Sequence, residues 1–153
     1  MYAWPRRSWY ASASAADRWA GSAPTGPIAA IDTRDVSAVA AAVMLQPELG
    51  GGTIELSGPE ALTFPQMAAR FSAVPGRPVR YAVADQASLR AGRIAAGIPD
   101  WMVDISLGID TAMEANLNAE VTDTVLRYTG RAARPIDEFI RDNREAFTAT
   151  PQS

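Results

Sequence analysis

From residue 27 onward, short apolar runs alternate with helical segments that carry recognisable start and stop signals. Residues 28–31 form a short apolar run, residues 53–57 alternate apolar with polar side chains, and residues 79–83 place Val79, Tyr81 and Val83 on one face. These three segments are predicted to be short β-strands. Strands that alternate with helices and precede a helix-rich tail are typical of an α/β fold, although three strands alone make a thin sheet.

The predicted helices have specific capping residues. Asp32 or Thr33 can cap a helix that runs to Leu45, and Thr63 with Gln66 forms a capping box. Asp85 can cap a further helix that ends near Gly97. Additional helices are predicted from Asp100, over residues 122–129 with Gly130 as the stop, and from about Pro135.

Two of these helices have apolar residues at helical spacing, which we expect to face the core. In the first helix they are Val36, Val39, Ala40 and Val43. In the helix from Asp100 they are Met102, Ile105, Ile109, Met113 and Leu117.

Composition excludes several kinds of chemistry. The chain has 153 residues with no His and no Cys, and all 14 of its basic residues are Arg. Cys/His metal sites, serine triads, cysteine nucleophiles and Schiff-base lysines are therefore excluded. A net charge of −3 argues against a nucleic-acid partner, and no apolar run approaches membrane-spanning length. The absence of Cys leaves the compartment open, and the cytoplasm is the default expectation.

The first 26 residues differ from the rest of the chain. They contain Trp4, Trp9 and Trp19 among Ala, Ser, Pro and Arg, with no period of a helix or strand. We interpret residues 1–26 as an irregular N-terminal arm and residues 27–150 as the folded part. A surface on which single-stranded nucleic acid stacks is the less favoured alternative.

The densest polar cluster is Asp32, Arg34 and Asp35, at a predicted strand-to-helix junction. Ligands of open α/β folds bind at the carboxyl ends of strands, so these three residues are the candidates for a substrate cleft. The competing and favoured interpretation is structural, with Asp32 as a helix cap, Asp35 near the helix dipole and Arg34 paired to one of them. No catalytic, cofactor-binding or metal-ligating residue is assigned.

Two carboxylate pairs occur at a spacing of four residues, Asp100 with Asp104 and Asp110 with Glu114. Carboxylates at this spacing lie on one face of a helix and could in principle bind a metal ion. We expect them to lie on solvated faces instead.

Six segments carry a family resemblance, namely residues 29–36, 53–63, 76–81, 96–101, 120–125 and 137–140. Together they resemble the C-terminal half of NmrA-like proteins, which are atypical short-chain dehydrogenase/reductases related to NAD(P)H-dependent quinone and azo reductases. Residues 1 to about 22 match nothing in that pattern.

The resemblance implies a partial Rossmann-like, doubly wound sheet with a helix-rich C-terminal substrate lobe. It also implies NAD(P) as the cofactor of the family. The chain has neither a G-x-x-G-x-x-G fingerprint nor a Tyr-x-x-x-Lys pair, so we expect it to bind no dinucleotide alone. An Arg-rich chain without Lys suggests a GC-rich gene, in which truncation or a frame shift could produce such an arm.

Two functions follow as hypotheses. The chain could be the substrate-covering half of an NAD(P)H-dependent reductase, inactive alone. Alternatively, it could be a noncatalytic binding or regulatory module that associates through an exposed sheet edge. Both hypotheses predict a homo-oligomer or a partner chain, and a small-molecule substrate is compatible with the first.

Overall fold

The computed structural model describes residues 18–49, 51–73 and 78–145. Two strands and six α-helices are present in this part of the chain, with a single 3-10 turn at Pro47–Leu49. In chain order they are β1 (Arg18–Gly21), α1 (Thr33–Leu45), α2 (Phe64–Ala73), β2 (Arg80–Val83), α3 (Gln86–Ala95), α4 (Asp100–Glu114), α5 (Thr124–Thr129) and α6 (Ile136–Asp142).

The sheet consists of β1 and β2, which pair in parallel with Arg18 opposite Arg80 and Gly21 opposite Val83. A short parallel sheet with helices confirms the α/β class, but the predicted set of three strands is wrong. Only 79–83 forms a strand, as β2.

Within the described residues, the other two predicted strands have no neighbouring strand. Residues 28–31 contribute one antiparallel bridge, between Ile28 and Leu62, and residues 53–57 have no regular structure. The Ala29 N–H donates to the Asn118 carbonyl, and the Ala29 carbonyl accepts from Gly58. Alternating apolar and polar residues indicate that one face of a segment is buried. A β-strand also requires a neighbouring strand that forms hydrogen bonds with its backbone N–H and C=O groups.

The end of the predicted arm belongs to the fold. Arg18–Gly21 form β1, and Trp19 is 4% exposed, with its ring edge-on to Phe71 at a centroid distance of 5.0 Å. The prediction of an irregular arm is therefore wrong for residues 18–21. The buried indole of Trp19 contributes a core contact, but a strand of four residues is too short for a hydrophobic period to be recognised in the sequence. Residues 1–17 lie outside the described residues.

Helix starts agree with the sequence. The Asp32 carboxylate accepts from the Arg34 N–H at 2.8 Å, and the Asp85 carboxylate accepts from the Ser88 N–H at 2.9 Å. The capping box is closed from both sides: the Thr63 N–H donates to the Gln66 side chain, and the Gln66 N–H donates to the Thr63 hydroxyl. Local capping chemistry thus fixes where α1, α2 and α3 begin.

Helix faces differ from the predicted ones. In α4, Met113 is buried as expected, but Met102, Ile105 and Ile109 are exposed, as is Leu117 beyond the helix. The buried face of α4 consists of Val103, Leu107, Asp110 and Met113. In α1 the buried residues are Asp35 and Val39, whereas Val36 and Ala40 are exposed. In both helices a carboxylate lies on the buried side, which an apolar pattern cannot anticipate.

Among the described residues, buried apolar side chains form two core clusters. The larger one lies between the sheet, α2, α4 and α6, with Trp19, Phe71, Met113 and Ile140 among its buried members. The smaller one joins α3 to α4 through Leu89, Val103 and Leu107. Helix α4 contributes to both clusters, through Met113 to the larger one and through Val103 and Leu107 to the smaller one.

Candidate functional site

Helix α4 contacts the segments that follow both strands. The Asp110 carboxylate accepts hydrogen bonds from the N–H of Ser22 at 3.1 Å and from its hydroxyl at 2.9 Å, directly after β1. The Gln86 side-chain amide, just after β2, donates to the Thr111 hydroxyl at 3.1 Å. Because ligands of open α/β folds bind at the carboxyl ends of parallel strands, α4 lies beside the place where a ligand is expected.

A second carboxylate of α4 holds the loop of residues 22–26. Glu114 accepts from the Thr25 N–H at 2.8 Å, from the Thr25 hydroxyl at 2.6 Å and from the Gly26 N–H at 3.0 Å. These hydrogen bonds, led by the one from the Thr25 hydroxyl, lower the pKa of Glu114. A Cβ on Gly26 would lie 2.2 Å from the Met113 carbonyl oxygen, so only glycine permits this close approach.

Tyr81 of β2 supports the same loop from the sheet. Its hydroxyl accepts a hydrogen bond from the Ala23 N–H at 3.0 Å, and its ring stacks on Phe64 at 5.5 Å. Burial raises the pKa of Tyr81, and the nearby charges of Asp110 and Glu114 act in the same direction. The 22–26 loop is therefore held by Tyr81, Asp110 and Glu114 together.

One side of α4 is apolar and exposed. Trp101, Met102, Ile105 and Ile109 are each between 45% and 61% exposed, and they follow one another at helical spacing. We call these four residues the α4 apolar face. Large apolar side chains grouped on one helix face indicate a contact surface for a ligand or another chain.

Asp32 and Arg34 form a surface ion-pair cluster. The Arg34 guanidinium contacts both carboxylate oxygens of Asp32, with Nη2 at 2.7 Å from Oδ2, and Nη1 lies 2.6 Å from Asp142. Partial burial works to raise the pKa of Asp32, but the hydrogen bonds from Arg34 outweigh it and the pKa is lowered. Hydrogen bonds to Asp32 and Asp142 raise the pKa of Arg34. Both residues thus join the start of α1 to the end of α6.

Asp35 is 2% exposed and faces the segment before α6. Its carboxylate accepts from the Arg134 N–H at 2.7 Å and forms an ion pair with the Arg134 guanidinium, which also contacts Glu138 at 3.1 Å. The structure therefore brings the three candidate residues together at one helix end but satisfies each of them internally. This arrangement supports the structural interpretation of the cluster, and a role in substrate binding stays a prediction.

The carboxylate pairs of α4 have different surroundings. Asp100 and Asp104 are exposed beside Arg90, whose hydrogen bond to Asp104 lowers the pKa of that carboxyl. Asp110 is 6% exposed and is used to hold the 22–26 loop, so the expectation of a solvated face is wrong for it. Within the described ranges no cluster of three metal-ligating side chains occurs, and no described helix is long and apolar enough to span a membrane.

The N-termini of α1 and α3 do not fit the pyrophosphate of a dinucleotide. Phosphates bind at helix N-termini through free N–H groups and the positive end of the helix dipole. At the start of α3, directly after β2, the Asp85 carboxylate already accepts from the N–H and the hydroxyl of Ser88. At the start of α1, Asp32 has the same role. A carboxylate at each of these ends would repel a phosphate.

Sequence reasoning did not identify the 22–26 loop or the α4 apolar face as parts of a site. The four-residue spacing of Asp110 and Glu114 was visible, but their partners Ser22 and Thr25 lie almost ninety positions away along the chain. The apolar pattern of α4 was also visible, and it was assigned to the core. The apolar pattern alone does not distinguish a contact surface from a core face. The solvent exposure of Ile105 and its neighbours identifies this side of α4 as a contact surface.

Comparison with known proteins gives consistent relatives, although no protein-family model matches the chain. The chain is 33% identical over 124 residues to an NAD(P)H azoreductase of Xenophilus azovorans, covering 81% of this chain and 43% of the relative. It is 35% identical over 123 residues to a (4-alkanoyl-5-oxo-2,5-dihydrofuran-3-yl)methyl phosphate reductase of Streptomyces griseus, covering 79% and 43% respectively. The chain thus spans less than half the length of these two relatives.

Solved structures agree with the sequence relatives. An NADPH-dependent quinone oxidoreductase from Escherichia coli superposes with a TM-score of 0.79 at 25% identity, over 95% of this chain and 53% of that one. A Citrobacter triphenylmethane reductase complexed with NADP(H) shares the fold, with a TM-score of 0.76 at 18% identity over 86% of this chain and 46% of that one.

The comparisons also correct the boundary of the resemblance. In sequence, the E. coli quinone oxidoreductase 2 matches 92% of this chain, which is more than residues 23–153 alone could supply. The expectation that residues 1 to about 22 match nothing is therefore wrong for part of that segment. The resemblance to part of an NmrA-like, atypical short-chain dehydrogenase/reductase is thus confirmed, and the chain spans about half the length of the reductases that it matches.

Proposed function

We propose that this chain is the substrate-covering part of an NAD(P)H-dependent oxidoreductase and that it binds no dinucleotide on its own. The observation that carries the proposal is the position of α4, whose Asp110 and Thr111 contact the segments that follow the two parallel strands. A helix held there lies beside the expected ligand position and exposes an apolar face. Among the relatives named above are an NAD(P)H azoreductase and an NADPH-dependent quinone oxidoreductase, and a third is a reductase that is named for a dihydrofuranyl methyl phosphate.

In this proposal the chain's own residues position and enclose the substrate. Tyr81, Asp110 and Glu114 fix the 22–26 loop, and α4 offers Trp101, Met102, Ile105 and Ile109 to a flat apolar molecule. Hydride chemistry would come from NAD(P)H bound elsewhere in a complete reductase. Such an enzyme would draw its nicotinamide from the cytoplasm, so the cytoplasmic location remains part of the proposal.

A titration followed by tryptophan fluorescence tests this function. Trp101 is 61% exposed on the α4 apolar face, so 1,4-naphthoquinone should quench it in a saturable way, whereas NADPH up to millimolar concentration should not. Trp101→Phe is the matched control, because it removes only this reporter and keeps an aromatic ring on the face. Saturable micromolar binding of NADPH, or no quinone-dependent signal from Trp101, would contradict the proposal.

One observation favours a second candidate, a noncatalytic module that associates with another chain or with a second copy. In the described part of the chain, β1 pairs with β2 only, so its other edge has no strand beside it. Unpaired edges favour association. Sedimentation velocity on the wild type and on Ala20→Lys, which adds a charge to the exposed side of β1, tests this candidate. If the wild type self-associates and Ala20→Lys does not, the result would support the noncatalytic module. A wild-type chain that is monomeric at all concentrations would exclude association with a second copy.

A further inference from the structure

Two arginines lie side by side at the amino end of the sheet. Arg18 of β1 is in register with Arg80 of β2, and both are exposed. Neighbouring strands are about 4.8 Å apart and register partners point to the same face, so two positive side chains share one small area. Like charges in register destabilise a sheet unless a negative group lies between them.

Neither arginine has such a group within residues 18–49, 51–73 and 78–145. The ion pairs and side-chain hydrogen bonds of those ranges involve other arginines, such as Arg34, Arg70, Arg90 and Arg134. The remaining residues on the same face of the sheet are Ala20, which is exposed, and Ala82, which is half-buried. Small side chains beside two arginines leave room for another element to approach.

We propose that the edge of β1 that no described strand covers docks an acidic β-strand, whose Asp or Glu side chain binds Arg18 and Arg80 together. A strand added to β1 would lie about 5 Å from Arg18 and about 10 Å from Arg80. Both guanidinium groups can reach a carboxylate at those separations, and Arg forms strong charge-assisted pairs with carboxylates. Main-chain hydrogen bonds along the edge would supply the rest of the interaction.

This inference rests on the proposed function, because we assign the acidic strand to the part of the reductase fold that this chain does not span. The arginines are at the amino ends of β1 and β2, whereas Ser22 and Gln86, which bind α4, follow the carboxyl ends. A strand on the edge of β1 would therefore enlarge the sheet without covering the α4 apolar face.

A peptide-binding experiment on the full chain tests the inference. The probes are two fluorescein-labelled strand-forming peptides, one in which Val alternates with Glu and one in which Gln replaces every Glu. Anisotropy at low salt should show the Glu peptide binding about fivefold tighter than the Gln peptide. Added salt should reduce this ratio.

Charge reversal gives the sharper comparison. Arg18→Glu with Arg80→Glu should remove the preference for the Glu peptide and create one for a matched Lys peptide. The control is Arg127→Glu with Arg131→Glu, which changes the net charge equally at two exposed sites away from the sheet and should keep the preference for Glu. Arg18→Gln alone, checked by thermal melting, is the milder variant if the double reversal fails to fold, and it should reduce the preference.

The outcomes separate this inference from the proposed function. Equal affinity for the Glu and Gln peptides, or a preference that survives the Arg18 and Arg80 changes, would overturn the docking site and leave the quinone response of Trp101 untouched. Sedimentation could instead show that the wild type dimerises and that the Arg18→Glu, Arg80→Glu variant does not. This result would also overturn the docking of an acidic strand, because a second copy of the chain would then occupy the edge of β1.

Discussion

The start of α1 and the helix α4 both carry grouped carboxylates, but they leave different surfaces. At α1, Asp32 and Asp35 are bound by Arg34 and Arg134, and the cluster is complete within the chain. At α4 the carboxylates are also bound, but the opposite side of the helix exposes the α4 apolar face. The densest polar cluster therefore joins two parts of this fold, while the exposed apolar side chains form its contact surface.

Removing the buried carboxylate of α1 tests the joint most severely. Asp35→Ala should lower the free energy of unfolding by about 3 kcal/mol, because it leaves the Arg134 guanidinium without its buried partner. Urea unfolding measures the loss. Asp123→Ala, at an exposed ion pair of 3.8 Å, is the control and should change stability by less than about 0.5 kcal/mol. Equal effects of the two variants would show that the α1 cluster is not a joint.

Two glycines near α4 should respond in opposite directions. Gly26→Ala should destabilise the chain by about 2 kcal/mol, because its Cβ would overlap the Met113 backbone and displace the loop from Glu114. Gly108→Ala lies in the interior of α4 with nothing within 4 Å and should stabilise by about 0.5–1 kcal/mol. Thermal melting of both variants gives the comparison, and a stable Gly26→Ala chain would mean that the 22–26 loop does not seat on α4.

The cap of α1 should matter for stability and not for ligand binding. Asp32→Ala should cost about 1 kcal/mol through loss of the cap, while Asp32→Asn should cost less because Asn can still accept from the Arg34 N–H. Neither variant should alter the quinone response of Trp101. A loss of that response at unchanged melting temperature would instead place Asp32 in the substrate cleft.

Acid should weaken both regions together. The pKa values of Asp32 in the α1 cluster and of Glu114 in α4 are lowered by their hydrogen bonds in the folded chain, from ordinary values of 3.8 and 4.5. A lowered pKa stabilises the fold at pH above the ordinary value, and this contribution is lost as the pH falls through the lowered value. Unfolding measured between about pH 6 and pH 2 should therefore show stability falling below about pH 4.5.

Substitution of one side chain locates the acid effect. Glu114→Gln should flatten the acid side of the stability profile, since its amide no longer titrates. An unchanged profile would argue against the hydrogen bonds from Thr25 and Gly26.

The smallest stability effect is expected on the α4 apolar face. Ile105→Ser with Ile109→Ser should change the free energy of unfolding by less than about 0.5 kcal/mol, because both side chains are about half exposed and Ser has a similar helix propensity. The same change should remove quinone binding. A large stability loss, comparable to that of Asp35→Ala, would mean that this face is packed in the folded protein.

The sequence predicted the helices of this fold well because their start signals are local. The capping hydrogen bonds of Asp32, Asp85 and the Thr63–Gln66 pair join residues that are at most three positions apart. A short stretch of sequence is therefore sufficient to predict where these helices begin. Strands were predicted poorly because pairing is not local. Trp19 and Tyr81 lie opposite each other in the sheet, and nothing within either segment encodes that pairing.

The site was predicted only in part for the same reason. Asp32, Arg34 and Asp35 do meet at one helix end, as their adjacency in the chain requires, but their partners Arg134 and Asp142 come from the far end of the chain. For α4, the period of the apolar residues was correct and the assignment of faces was not. Asp110 lies on the buried side of α4 beside Ser22, while Met102 and its neighbours face outward.

Methyl NMR of isoleucine-labelled chain during titration with 1,4-naphthoquinone tests whether α4 faces the substrate. If it does, the methyl signals of Ile105 and Ile109 should shift in a saturable way, and those of Ile140, which is fully buried in the core, should stay in place. Uniform shifts across all isoleucines, or no shift at Ile105 and Ile109, would show that α4 does not cover the substrate.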